Sequence, residues 1–264
     1  EDEIPGNGED DDKNGYIDDV HGWNFLGNAD GENVIHETLE LTRLYKKYKE
    51  KFEGKDKNNI PAEQKDEFQH YLEIKEAYQE EYDELTEEYK QFKQFIGTYD
   101  VATELISEHL GKEDFTEEDV KAIETEDQRL GASIQFYNYL YENNFDEKQL
   151  EDAREHYDGR MKYHYNLDYN ARDIVGDNPE SNKNRYYGNN DVDAPDADHG
   201  THVAGIIGAK RNNDIGINGI AGDVEFMVLR TVPDGDERDK DVANAIRYAV
   251  DNGAQIINMS FGKA

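Results

Sequence analysis

From Leu41 to Met161 the apolar and aromatic residues recur three and four positions apart, the spacing that lays them along one face of a helix. Leu41, Leu44, Tyr45, Tyr48 and Phe52 form a first stripe, and the stretch from Gly54 to Pro61 breaks it. Phe68, Tyr71, Lys75, Tyr78, Tyr82, Leu85, Tyr89, Phe92 and Ile96 form a second, with heptad-like steps and Lys75 as its polar member. This predicts one long helix, of more than seven turns at 3.6 residues each, that stops near Gly97. A separate helix is expected over 101–110, with Gly111 as its C-terminal glycine. Thr116 followed by Asp119 reads as a capping box opening the next. Leu130, Ile134, Tyr137 and Tyr141 give another stripe, and Leu150, Ala153, Tyr157 and Met161 the last. The expected product is a helical hairpin or bundle with the aromatic stripes as its core.

The texture changes towards the C-terminus. Val224–Val232 and Ala254–Ser260 are short apolar runs that read as buried strands. Between them, Asp239–Asn252 reads as a helix with Val242, Ala245, Ile246, Ala249 and Val250 on one face and Gly253 as its stop. Strand, helix and strand at this spacing predict a right-handed parallel unit. The chain therefore divides into three parts: 1–33, rich in Gly, Asn and Asp; a helical block, 34–170; and 171–264.

Charge sharpens that division. The 264 residues carry 62 acids against 29 bases, a net of −33. Residues 1–33 hold 11 acids and 1 base (net −10), and 34–170 hold 35 and 18 (net −17). Residues 171–198 hold 7 and 3 (net −4), and 199–264 hold 9 and 7 (net −2). A surface this negative repels phosphate backbones, so a nucleic-acid partner is not expected. No apolar run is long enough to span a bilayer. Cysteine is absent, which removes disulfides, thiolate metal sites and a cysteine nucleophile. The apolar fraction of 35% is low, but aromatics at 11% in regular spacing argue for a folded chain. The chain opens on Glu1 and not on Met, which reads as processing or excision from a longer polypeptide.

The charge of the first part is concentrated in a loop. Asp10, Asp12 and Asn14 place oxygen side chains at alternate positions, Gly15 allows a tight turn, and Asp18 adds a further carboxylate. That is the donor chemistry of a hard cation, calcium above all, which takes six to eight oxygens. The pattern resembles the first nine positions of an EF-hand loop and departs at the twelfth, where His21 stands in place of a bidentate Glu.

Candidate catalytic chemistry sits at Asp198-His199-Gly200-Thr201-His202-Val203-Ala204-Gly205. This stretch resembles the histidine motif of the subtilisin-like serine peptidases, H-G-T-H-V-A-G. Asn212–Ala221 is similar to the loop that follows it, and Ile257–Gly262 to the strand that pairs with substrate. Residues 3–8 and 19–25 resemble the segment after the catalytic aspartate in some larger bacterial members. The resemblance implies an α/β fold: a partial subtilisin-like parallel sheet with helices, present in 1–33 and 171–264 and interrupted by a mainly α-helical insertion over 34–170. It implies that His199 is the general base that takes a serine hydroxyl's proton and passes it to the leaving amine. It implies substrate pairing at Ser260, Phe261 and Gly262, a calcium ligand at Asn213, and a peptide or protein substrate. His202 is expected to be buried. Asp236 and Glu237, if they border the cleft, would favour basic substrate residues. An extracellular or cell-envelope location follows from the family.

The triad is incomplete in these residues. No Asp-[Ser/Thr]-Gly occurs, and the four serines, Ser107, Ser133, Ser181 and Ser260, lack a Gly-Thr-Ser context. The chain thus reads as an internal segment of such a peptidase, inactive by itself, with strand edges open to self-association. The competing reading is a non-catalytic, calcium-stabilised helical module that docks a protein partner or regulates a pseudoenzyme.

Overall fold

The computed structural model describes residues 3–181, 183–193, 195 and 197–262. The chain folds as two compact units, one made of 1–43 and 166–264 and the other of 44–165.

In the first unit, β1 (Gly22–Asn24) pairs in parallel with β2 (Val228–Arg230), with Trp23 opposite Leu229. The close approach needs a glycine: Gly22 has φ +124°, and a Cβ there would lie 1.9 Å from the Val228 carbonyl oxygen. Gly188 (φ +102°) passes equally near the Asn24 carbonyl. Asn24 is fully buried; its amide donates to Asn189 Oδ1 (3.0 Å) and Asn33 Oδ1 (2.7 Å), and its Oδ1 accepts from Leu26 N. Around this sheet lies a core of Tyr16, Trp23, Phe25, Leu26, Val34 and Tyr248, with Tyr16 edge-on to Trp23 (5.0 Å) and to Tyr248 (4.8 Å).

The strand expected over 224–232 is thus three residues long, and Val224, Phe226 and Val228 are exposed. Residues 254–260 form no ladder among the described residues, so β2 finds its parallel neighbour in β1 and not in the segment after the helix. That helix, α8 (Asp239–Asp251), ends where expected, with Gly253 at φ +85°. Its buried face keeps Ala245 and Ala249 as expected but is rotated away from Val242, Ile246 and Val250. Asp241, Asn244, Ala245, Tyr248 and Ala249 face inward and Val250 is 62% exposed. The rotation follows from polar chemistry. Asp241 receives a bidentate pair from Arg172 (2.7 and 3.2 Å) and the Tyr187 hydroxyl (2.6 Å). Arg172 Nε also donates to Asp177 (2.6 Å), which meets Lys240, and Asn244 donates to Tyr187 (3.1 Å). Two buried cations and two buried anions cancel, and burial beside Asp241 pushes the Tyr187 phenol up, so it remains a donor.

In the second unit, the longest helix is α2 (Lys65–Leu110), 46 residues and about 70 Å at 1.5 Å per residue. It runs through Gly97, where the sequence pattern places a break. Gly97 is exposed with no atom near its missing Cβ, and a lone glycine costs a helix only about 1 kcal/mol. The helix ends instead at Gly111, left-handed at φ +70°. Ile74, not Lys75, fills the buried step after Tyr71. Aromatic layers succeed one another along it. Phe52 meets Phe68 (5.5 Å) and Tyr71 (5.8 Å), Tyr45 stacks on Tyr78 (4.4 Å), and Phe92 meets Tyr157 (4.9 Å). The far end is closed by α3 (Glu117–Lys121), opened by the Thr116/Asp119 capping box, and by α4 (Gln128–Glu142), which packs on α2 through Ile106, Val120, Leu130 and Tyr137. Then α5 (Glu147–Gly159) follows and continues as a π turn over Arg160–His164. No described helix is long and apolar enough to cross a membrane.

Arg172→Ala leaves Asp177 and Asp241 buried without their partner, so it should cost about 3–5 kcal/mol. Urea unfolding followed by the fluorescence of Trp23, the chain's single tryptophan, measures it in the unit concerned.

Candidate functional site

His199 is the second residue of α7 (Asp198–Gly208), a helix with no fully buried residue. The motif's small residues divide in their use. Gly208 lets Val224 and Phe226 approach to within 2.7–2.9 Å of where a Cβ would stand, whereas Gly200 and Gly205 have nothing near. The loop after α7 returns to cap it: Gly219 N donates to Ala209 O (2.9 Å), Ile220 N to Ile206 O (3.0 Å) and Ala221 N to Ile207 O (2.8 Å). Gly219 must be glycine, since a Cβ would sit 2.4 Å from the Ala209 nitrogen. His199 projects from this helix start into solvent, and His202 is exposed as well, not buried as expected. Among the described residues no carboxylate or hydroxyl hydrogen-bonds to His199.

Ser260, Phe261 and Gly262 are exposed, and Ser260 Oγ accepts from Asn258 Nδ2 (3.0 Å). Their backbone joins no ladder among the described residues. Asp236 and Glu237 are both engaged within the fold. Asp236 accepts from Glu40 N (2.7 Å) at the start of α1 (Glu40–Phe52), and Glu237 is buried.

The acidic loop rearranges the expected ligand set. Asp10 spends its carboxylate on the amides of Asn14 (3.1 Å) and Gly15 (2.9 Å), and Asp18 on those of Asn7 (3.1 Å) and Gly8 (2.9 Å). Asn14 Oδ1 accepts from Tyr16 N, and Asn213 Oδ1 accepts from Ile215 N within its own turn. Among the described residues, carboxylate oxygens of Glu3, Asp12 and Asp19 all lie within 4.8 Å of one another, and the Asn14 amide donates to Asp12 (3.1 Å) and to Asp19 (2.9 Å). Glu3 Oε1 accepts from the amides of Asp11 and Asp12, while its Oε2 is buried with no hydrogen-bond partner among the described residues. Burial raises the Asp12 pKa, and the charges of Asp19 and Asp10 add to the rise. Three crowded carboxylates with an orphaned buried oxygen fit a hard cation. Glu3 and Asp19 are absent from the alternate-position pattern; the Asp18-Asp19 doublet was the sequence signal, and Asp19 is fixed from the far side by Tyr248 and Asn14.

The sequence model of the subtilase family matches residues 80–264, which include the His199 motif and residues 257–262. The chain belongs to the subtilase family. The match begins within α2, so it takes in part of the helical unit as well. Among curated relatives, the thermophilic serine proteinase of Bacillus sp. (strain AK1) is 40% identical over 98 residues, 36% of this subtilase chain and 24% of the relative. Thermitase of Thermoactinomyces vulgaris is 43% identical over 65 residues, 24% of this chain and 23% of that protein. The cell wall-associated protease of Bacillus subtilis is 31% identical over 97 residues, 36% of this chain and 11% of its own. The chain thus spans a quarter or less of the length of these relatives. No solved structure matches it.

Beside this region Glu37 is 2% exposed, and burial opposes its charge. The Arg238 guanidinium (2.6 Å), the Thr38 amide (2.8 Å) and Arg43 outweigh burial and hold it below its ordinary value of 4.5. A depressed folded pKa gives stability that is complete above the unfolded value and is lost as pH falls through the folded one. Unfolding free energy should therefore decline below about pH 4.5, and Glu37→Gln should flatten that decline in acid titrations followed at Trp23.

Proposed function

We propose that this chain is the histidine-bearing part of an exported subtilisin-like serine endopeptidase. The observation that carries it is the intact His199 motif opening α7 within the stretch matched by the family. In this reading His199 Nε2 accepts the proton of a serine hydroxyl as it attacks a peptide carbonyl, then returns it to the departing amine. Residues 260–262 offer main-chain groups to an extended substrate, and 34–170 is a helical insertion into the catalytic domain. The division of the chain, with 1–43 and 166–264 in one unit, supports that last point. Relatives named as cell wall-associated and extracellular proteases support the location.

The chain's 264 residues hold neither the aspartate nor the serine motif, so by themselves they should hydrolyse no casein and take no fluorophosphonate label. A longer polypeptide that supplies both should do both, and its His199→Ala variant should lose several powers of ten in kcat; in subtilisin itself the loss is about 10⁶. Labelling that is absent from the longer polypeptide would favour the non-catalytic, regulatory reading.

Glu3, Asp12 and Asp19 would hold calcium, which would neutralise the loop's charge and fix it against α8. At a calcium concentration a hundred times Kd, the gain is about 2.7 kcal/mol. Thermal unfolding should shift up with calcium relative to chelator, and Asp12→Asn should remove most of that shift.

A further inference from the structure

The far end of the helical unit contains a cavity of about 330 Å³ that none of the foregoing uses. Its floor is Tyr137 and Leu140 of α4, 6% and 4% exposed. Rings surround Tyr137: Phe115 at 5.1 Å, Tyr141 at 5.8 Å and Tyr99 at 5.9 Å, with Phe145 5.7 Å from Tyr99. Three carboxylates, Glu113, Asp114 and Glu147, share the lining, and all three residues are exposed. Glu147 is held there by the Tyr99 hydroxyl (2.7 Å). No basic side chain lines the cavity, and Lys112, next to Glu113, is occupied by Asp119 (2.6 Å).

Aromatic faces carry negative quadrupole density and attract cations desolvated against them. Carboxylates at the mouth add the opposite charge without needing burial themselves. A hard metal ion is served poorly here, because the Tyr99 hydroxyl is engaged by Glu147 and the Tyr137 hydroxyl by Thr103 (2.6 Å), and the three acids stand exposed in water and do not converge. An anion is repelled. An alkylammonium on an apolar stem matches both parts, since its methylenes cover the rings while its head reaches the acids. We infer that this cavity is a binding site for a basic side chain, lysine-like in shape, presented by a peptide or protein. The site lies wholly within 99–147 and is independent of the peptidase reading, so neither stands or falls with the other.

The test uses the full 264-residue chain with ¹³C-labelled tyrosine and phenylalanine. It is titrated with a blocked Gly-Lys-Gly tripeptide, the same tripeptide with norleucine in place of lysine, and methylammonium chloride. The lysine peptide should shift the ring signals of Phe115, Tyr137 and Tyr141 saturably, and the other two probes should bind at least tenfold more weakly. Combined Glu113→Gln, Asp114→Asn and Glu147→Gln should weaken the lysine peptide at least tenfold, and Tyr141→Leu three- to tenfold, with circular dichroism unchanged. Diffuse attraction to a chain of net −33 would barely notice three charges, so an unaffected triple variant overturns the site. Norleucine or methylammonium binding as tightly as lysine, or shifts confined to other rings, overturns it too.

Discussion

Arg172 is 4% exposed and Asp241 is completely buried, and between them they decide how the first unit is assembled. Arg172 belongs to α6 (Arg172–Val175), just after the chain returns from the helical unit, and Asp241 lies in the first turn of α8. Taking both charges out of water costs several kcal/mol each, and the pair repays this only with excellent geometry and with the remaining donors and acceptors satisfied. Here the guanidinium is shared between Asp241 and Asp177, Lys240 balances the second carboxylate, and Tyr187 closes the ring of contacts. A register slip of α8 by one residue would bury Asp241 without its partner. The charge cluster therefore sets the rotation of α8, and through it the inward position of Tyr248 against Tyr16 and Asp19. Tyr187 carries the constraint onward, because its carbonyl accepts from Trp23 Nε1 (2.7 Å) in β1.

That constraint explains which parts of the fold were legible in the sequence. The limits of α8 could be read from apolar spacing and Gly253, but its buried face could not. Periodicity gives weight to Val242, Ile246 and Val250, whereas the structure turns Asp241, Asn244 and Tyr248 inward to complete a polar network. No one-dimensional pattern shows that an aspartate has a buried arginine 69 residues away. The apolar runs at 224–232 and 254–260 mislead for a different reason. Burial belongs to a residue's neighbours, and among the described residues Ile256 is left 89% exposed and Phe226 47%. The glycines of the His199 motif follow the same logic: those with a neighbour, such as Gly208, show why they are small, and Gly200 and Gly205 do not.

The helical unit was the more readable half. Its stripes, its capping box and the Gly111 stop all reflect local physics that the neighbouring residues contain. Gly97 was the exception because a glycine marks a helix end only when the chain gains by leaving the helix there. On α2, Phe95 and Tyr99 pack into the same aromatic cluster on either side of it, and breaking the helix would forfeit those contacts for about 1 kcal/mol of backbone entropy.

The acidic excess, read as one number, hides three separate uses of carboxylates. Asp10 and Asp18 act as acceptors for backbone amides and shape the loop. Glu3, Asp12 and Asp19 converge, and a hard cation would relieve their mutual repulsion. Glu113, Asp114 and Glu147 remain in water beside aromatic rings, where their charge is screened over about 8 Å at physiological ionic strength and reaches a ligand that brings its own apolar stem. Spacing in the sequence separates the first use from the second poorly, because Asp10 and Asp12 share the alternate-position pattern and yet serve different uses. What distinguishes them is convergence in space: Glu3 Oε1 accepts two amides while its Oε2 keeps no hydrogen-bond partner among the described residues, and Asp19 is anchored to α8 beside it.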